Sequence, residues 1–240
     1  MGRAKDIIVK VIPSKIANDF IKKHHYSGKV VSNSNLHFGA FLDNNLHGVM
    51  SFGSPLDKKK VTGLVKGTKW NEMLELNRMA FDDYLPKNSE SRCISIAIKL
   101  IKKNAPHVKW VLSFSDGTQC GDGTIYRASG FYLTGLKTNK NTCRMKNGMV
   151  IHKMTLESSP TQKRKELNGK SYYELTGGKY DFKKYVEAVG GEVLIGYQIR
   201  YIYLIDKECK ITVPILPYNK IDEIGAGMYK GEKVKVADRK

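Results

Sequence analysis

Acidic residues are scarce in this chain of 240. Only 23 Asp and Glu stand against 41 Lys and Arg, a formal charge of +18. Long apolar runs are missing too, since no stretch of 18 apolar residues exists to form a membrane-spanning helix. The opening Met1-Gly2-Arg3-Ala4-Lys5-Asp6 lacks an apolar signal core and has Asp6 where myristoylation requires Ser or Thr, so a cytosolic protein is expected. Cys93, Cys120, Cys143 and Cys209 are far apart and contain no Cys-x-x-Cys, which matches neither a zinc knuckle nor a disulfide framework. Reduced thiols that mostly fill the core are expected. There is no internal repeat and no low-complexity tract.

What is present fits a folded, soluble protein. With 41% apolar residues and 10% aromatics the chain can bury a sizeable core, which excludes wholesale disorder. A surplus of positive charge this large repels itself unless a polyanion shares it, and nucleic acid is the commonest such partner. An acidic membrane surface is the weaker choice, because no strongly amphipathic basic helix stands out. A lysine-rich genome is the plain alternative.

Hydrophobic periodicity predicts a first strand over Asp6 to Ile12, ended by Pro13. A helix follows from Ser14, with Ala17, Phe20, Ile21 and His24 on one face. Leu36 to Leu42 and Leu46 to Phe52 read as a hairpin about Asp43-Asn44-Asn45. Met73 to Phe81 is a strand, Asn88 to Asn104 a capped helix, and Val108 to Ser115 a strand covered on both faces. A short helix is expected over Thr124 to Phe131. From Lys137 to Gly191 the composition shifts to lysine and tyrosine, as in an insertion. The core pattern then resumes, with Val193, Ile195, Tyr197, Ile199, Tyr201, Tyr203 and Ile205 as one apolar strand face and Ile211 to Leu216 as its partner strand. A basic tail, 229–240, is expected to fray. The whole reads as a single mixed α/β domain with its core in about 6–136 and 192–217.

Three segments place polar groups where a core should be. On Met73 to Phe81, Arg78 shares the face of Leu74, Leu76 and Ala80, so its guanidinium needs either a neighbouring carboxylate or an anionic ligand. Asp116 closes the apolar strand at its carboxyl end, and Tyr126 follows a Gly-rich link. The pair suits base and acid, or metal ligands, unless Asp116 merely caps a turn. His24-His25-Tyr26 ends the first helix, and its meaning depends on what it meets in space.

These residues carry a resemblance. His25-Tyr26, Leu76-Asn77-Arg78-Met79, Ser89-Glu90-Ser91 and Phe114-Ser115-Asp116 running to Ile125-Tyr126-Arg127-Ala128 resemble the Mom family of phage DNA-modification proteins. The strand-helix-hairpin order resembles the GNAT acyltransferase fold. The likeness runs from about Phe20 to Thr155. It implies a mostly antiparallel central sheet flanked by helices, and conversion of adenine in double-stranded DNA to its N6-methylcarbamoyl form, which shields phage DNA from host restriction. It also implies metal or catalytic roles for His25, Tyr26, Asp116 and Tyr126, a functional Arg78, an associated iron, and an acetyl-CoA contact in the loop holding Ser91.

Where a GNAT protein has its Gly-rich pyrophosphate loop, this chain reads Asp82-Asp83-Tyr84-Leu85-Pro86-Lys87-Asn88-Ser89-Glu90-Ser91. Lys87, Ser89 and Ser91 at a helix N-terminus suit a phosphate. The missing glycines and the two aspartates count against acetyl-CoA. Lys58-Lys59-Lys60 and the lysines of the Lys137 to Lys184 stretch, both in expected surface loops, are the leading candidates for DNA phosphate contacts. The competing functions are a GNAT-type N-acetyltransferase acting on protein or RNA and a non-catalytic basic DNA-binding protein.

Overall fold

The computed structural model describes residues 3–119, 121–229 and 232–234. Cys120 and most of the tail expected to fray lie outside the described residues. In chain order the elements are β1 (Ile8–Val11), α1 (Ser14–His24), β2 (Ser34–Leu42), β3 (Asn45–Gly53), α2 (Lys58–Val61), β4 (Met73–Phe81), α3 (Ser89–Asn104), β5 (Trp110–Asp116) and α4 (Thr124–Ala128). They continue with β6 (Tyr132–Arg144), β7 (Val150–His152), α5 (Lys153–Glu157), α6 (Tyr172–Thr176), α7 (Phe182–Ala188), β8 (Glu192–Leu204), α8 (Lys220–Glu223), β9 (Met228–Tyr229) and β10 (Glu232–Lys233). They divide into two compact units, one of residues 1–115, 122–136 and 199–224, the other of 116–121, 137–198 and 225–240. The shift in composition at Lys137 thus falls where the chain leaves the first unit.

In the first unit β1 to β4 form an antiparallel ladder and β5 joins β4 in parallel. The fold is mixed α/β with a mostly antiparallel sheet and flanking helices, as expected. The β2–β3 turn is Asp43-Asn44, with φ of 50° and 64°. Positive φ at both central residues matches a two-residue turn to the twist of its strands, and Asn and Asp tolerate it best after Gly. Helix α1 buries Ala17, Phe20 and Ile21 against Val49 and Ala80. At about 1.5–3 kcal/mol for each large apolar side chain, that contact fixes the helix on the sheet. A second cluster gathers Val61, Leu64, Val65, Met73, Trp110, Leu112, Ile202 and Leu204.

The second unit has its own core, in which Tyr172 and Tyr185, both fully buried, pack with Cys143, Met145, Ile151, Leu156, Leu167 and Val186. Buried free Cys93 and Cys143 are core fillers, and burial pushes the Cys93 thiol up to about 12.

Three expectations need correction. Val193 and Ile195 are 38% and 58% exposed, whereas Leu194 and Gly196 of the same stretch are buried. A Cβ on Gly196 would lie 1.9 Å from Thr118 Oγ1, so this part of β8 presses its even-numbered face on the 116–121 loop. Residues 211–216 are not a strand paired with β8. Ile211 makes one bridge to Val65, the Thr212 N–H donates to Leu64 O, and Pro214 has no N–H to extend a ladder. The lysine-rich insertion also begins inside a strand, since β6 continues to Arg144.

A polar face as candidate active site

The ladder between β3 and β4 is interrupted at one point. Ser51 opposes Arg78 and Phe52 opposes Leu76, so Asn77 is an extra residue, a β-bulge. Opposed residues share a face, so the bulge turns Arg78 away from Leu74 and Leu76. It places Arg78 with Glu75, Ser51 and Ala80 on the face that α1 covers. The sequence expectation for Arg78 is corrected accordingly: its guanidinium is half-buried on a polar face, and the alternation that placed it in the apolar layer is reset by one residue.

Nor is a carboxylate its hydrogen-bond partner. Arg78 Nε donates to Lys29 O at 3.1 Å and Nη1 donates to Asn77 O at 2.8 Å. The first bond ties the segment after α1 to β4. That segment carries His25, whose Nδ1 accepts from the Ser27 N–H at 3.1 Å and lies 2.8 Å from Ser27 Oγ. Burial, reinforced by the Arg78 guanidinium, lowers the His25 imidazole to about 4. The ring is therefore neutral at pH 7, and because Nδ1 accepts, its proton sits on Nε2. Tyr26, 51% exposed, lays its ring 4.3 Å from that of His25.

Glu75 is the residue that sequence reasoning missed. Burial pushes its carboxyl up to about 7, against the opposing pull of the Asn77 amide and the Arg78 guanidinium. A carboxyl poised near neutrality, beside a guanidinium and on the face to which a neutral imidazole is delivered, is suited to proton transfer. Around it, Ser34 Oγ donates to Asn77 Oδ1 at 3.0 Å, and buried His37 and Ser51 are joined through Nδ1 and Oγ at 2.8 Å.

The other expected residues have surroundings of their own. Tyr126 is 8% exposed and packs on Phe131 and Tyr201 at ring distances of 5.4 and 5.1 Å. Asp116 belongs to the second unit, where its Oδ1 accepts from the Thr118 N–H at 3.0 Å, a turn-forming bond. Lys58, Lys59 and Lys60 are exposed but form the single-turn helix α2 and not a loop, because Asp57 caps it and pairs with Lys60 at 2.7 Å. Ser91 likewise lies in the first turn of α3 and not in a loop.

The start of α3 borders an open cavity of about 540 Å³, lined by Lys5, Lys87, Asn88, Ser91, Arg92 and Ser95. Three cationic side chains at the N-terminus of a 16-residue helix suit a phosphate. Ser89 is fully buried and its Oγ donates to Pro86 O, so it serves the turn and not a ligand.

Residues 6–220 match the model of the Mom protein family. The chain belongs to that family. Methylcarbamoylase mom of Escherichia phage Mu is 37% identical over 156 residues, 65% of this chain and 64% of that protein. The chain thus spans slightly under two thirds of this Mom relative's length. Among solved structures, the IAA acetyltransferase of Bacillus cereus is 10% identical and covers 82% of this chain and 99% of its own, with a TM-score of 0.44. A Bacillus subtilis acetyltransferase in complex with CoA has the same identity and TM-score, over 82% and 98%.

The iron expected of a Mom protein finds no ligand set among the described residues, where no three His, Cys, Asp or Glu side chains are grouped to hold a metal. The chemistry of the nearest candidate agrees. His25 carries its ring proton on Nε2, spends Nδ1 on Ser27, and feels the positive charge of Arg78. No helix among the described residues is long and apolar enough to cross a membrane.

Proposed function

We propose that this chain modifies adenine in duplex DNA, attaching a methylcarbamoyl group to the exocyclic N6 amine and so shielding phage DNA from restriction in the host cytoplasm. The observation that carries this reading is the 37% identity to the Mu methylcarbamoylase over 156 residues. The polar face of the first unit supplies chemistry suited to it. An N6 amine that forms a bond must lose a proton, and the Glu75 carboxylate, half ionised near pH 7, is the acceptor. Arg78 offsets negative charge as it develops, and His25 donates through Nε2–H.

N6 is paired and stacked in a duplex, so the base must leave the helix. Tyr26, exposed beside His25, is the side chain we assign to stack on it. The charge of +18 favours phosphate contacts of low sequence preference, in which exposed Lys58 and Lys59 take part. An acyl-CoA would set its phosphates against Lys87, Ser91 and Arg92 at the start of α3; when bound it would supply an activated acyl carbon with the CoA thiol as leaving group, and the amide nitrogen of the methylcarbamoyl group would come from a separate donor. Asp116 we assign to its turn and Tyr126 to packing.

The test is the nucleoside mass spectrum of DNA from bacteria expressing the chain. A mass-shifted deoxyadenosine is expected. An unshifted spectrum with tight duplex binding would replace this reading with a non-catalytic DNA-binding protein, and acetylated protein or RNA would replace it with an acetyltransferase.

A further inference from the structure

The second unit has a charge imbalance of its own. Between residues 137 and 198 stand 12 Lys and Arg but only 6 Asp and Glu, and most of the acids are engaged inside the unit. Glu157 pairs with Lys153, Glu166 with Arg164, and Glu192 with Arg144. Glu174 closes a capping box with Ser171, and Asp181 caps α7 through the Lys184 N–H. Lys163, Lys170, Lys179 and Lys184 are all exposed and make no ion pair among the described residues.

These four lysines surround one short helix, α6. Lys163 and Lys170 both act on the carboxylate of Glu174 on that helix. Lys184 brings Nζ to 3.2 Å from where a Cβ of Gly177, at the end of α6, would sit. Lys179 lies in the next turn, held by a hydrogen bond from Thr176 Oγ1 to Lys179 O at 2.7 Å. Gly177 and Gly178 take φ of 70° and 77° there and leave the backbone open to close approach. Tyr180 is 60% exposed and stands edge-on to Tyr173 at 5.4 Å. The apolar sides of α6 and α7 are already used, since Tyr172, Tyr185 and Val186 are buried in the unit's own core, so the surface offers charge and one aromatic ring but no apolar face for a membrane.

We propose that Lys163, Lys170, Lys179 and Lys184, with Tyr180, form a surface that grips the phosphate backbone of duplex DNA. The inference rests on the functional reading above and adds to it where the second unit takes hold of the substrate. Like charges gathered around one short helix repel each other until a polyanion neutralises them. Lysine ammonium groups suit phosphates as point charges, and a contact of this kind positions the duplex without reading its sequence.

The test is lysine footprinting of the wild-type protein by an acetylating reagent, with and without a 30-base-pair duplex, read by peptide mass spectrometry. Lys170, Lys179 and Lys184 should be protected several-fold by the duplex and not by poly-L-glutamate at equal charge. Beside it, the variant Lys170→Gln/Lys179→Gln/Lys184→Gln should lose about 0.9 per contact, roughly two to three units in all, from the slope of log affinity against log salt, and the corresponding Arg variant should keep it. Equal reactivity with and without duplex, or an unchanged slope in the Gln variant, overturns the proposal. Equal protection by poly-L-glutamate overturns it in favour of an acidic protein partner. Modified adenine in expressing cells with no lysine protection would refute this surface alone. Protection without modified adenine would refute the enzymatic reading and leave the surface standing.

Discussion

Replacing Glu75 by Gln removes a charge and keeps the shape, and its consequence for stability follows from the site. Burial raises the Glu75 carboxyl from 4.5 to about 7. At about 1.4 kcal/mol per unit the shift corresponds to roughly 3 kcal/mol, and partial contact with water reduces the working figure to about 2 kcal/mol. The folded protein holds this proton more tightly than the unfolded chain does. Its contribution to stability is therefore complete below pH 4.5 and is lost as pH rises through about 7. Glu75→Gln, with no charge to bury, should match wild type near pH 4.5 and exceed it at pH 8.5 by about 2 kcal/mol, or roughly 4–8 °C in Tm for a chain of this size. Calorimetric scans of both proteins across that range decide it. A difference in Tm that does not change with pH, or a Gln variant less stable than wild type at pH 8.5, would show that Glu75 does not hold its proton through burial. The same variant should lose modification activity by about 10²–10⁴-fold, the usual worth of a positioned proton acceptor. The protein thus retains at its proposed active site a carboxyl that works against its own stability above neutral pH.

Other outcomes are equally specific. Arg78→Ala removes the bonds to Lys29 and Asn77 and should cost about 1–3 kcal/mol; it should also let the His25 pKa rise above its value of about 4, as NMR titration would show. Asp116→Asn keeps an oxygen for the Thr118 N–H, so folding should survive; on the turn-forming assignment adenine modification also stays near wild type, and a collapse of activity would return Asp116 to the chemistry. Reversing Lys58 and Lys59 to Glu should flatten the salt dependence of duplex binding by about two units, and an unchanged slope would remove α2 from the interface. Fluorescence of 2-aminopurine at the target adenine should rise with wild-type protein and stay flat with Tyr26→Ala, whereas an equal rise would remove Tyr26 from base stacking.

Much of the first unit was legible because its local signals agree. Asp43-Asn44 between two apolar runs, Ser14 and Asn88 before helical periodicity, and the bounds of β4 all fall where the sequence puts them. Arg78 and His25 stood out as residue types in the wrong surroundings. Glu75 did not, because Leu74-Glu75-Leu76 reads as ordinary alternation with a solvent-facing carboxylate. Only the bulge at Asn77, which depends on the register with β3, reveals that Glu75 and Arg78 share a covered face. The exposed face of Val193 and Ile195 was equally hidden, since it depends on Gly196 meeting Thr118 about eighty residues away in the chain. Pairing register and close backbone approach are tertiary properties, and periodicity carries neither.

On the proposed function, Glu75 and its neighbours on the polar face carry out adenine modification. That assignment is tested most directly by counting modified deoxyadenosine, by nucleoside mass spectrometry, in DNA from cells holding equal amounts of soluble wild-type or Glu75→Gln protein. Abundant modified adenine with wild type and a trace with the Gln variant is the result predicted. Equal modification by the two proteins would contradict it.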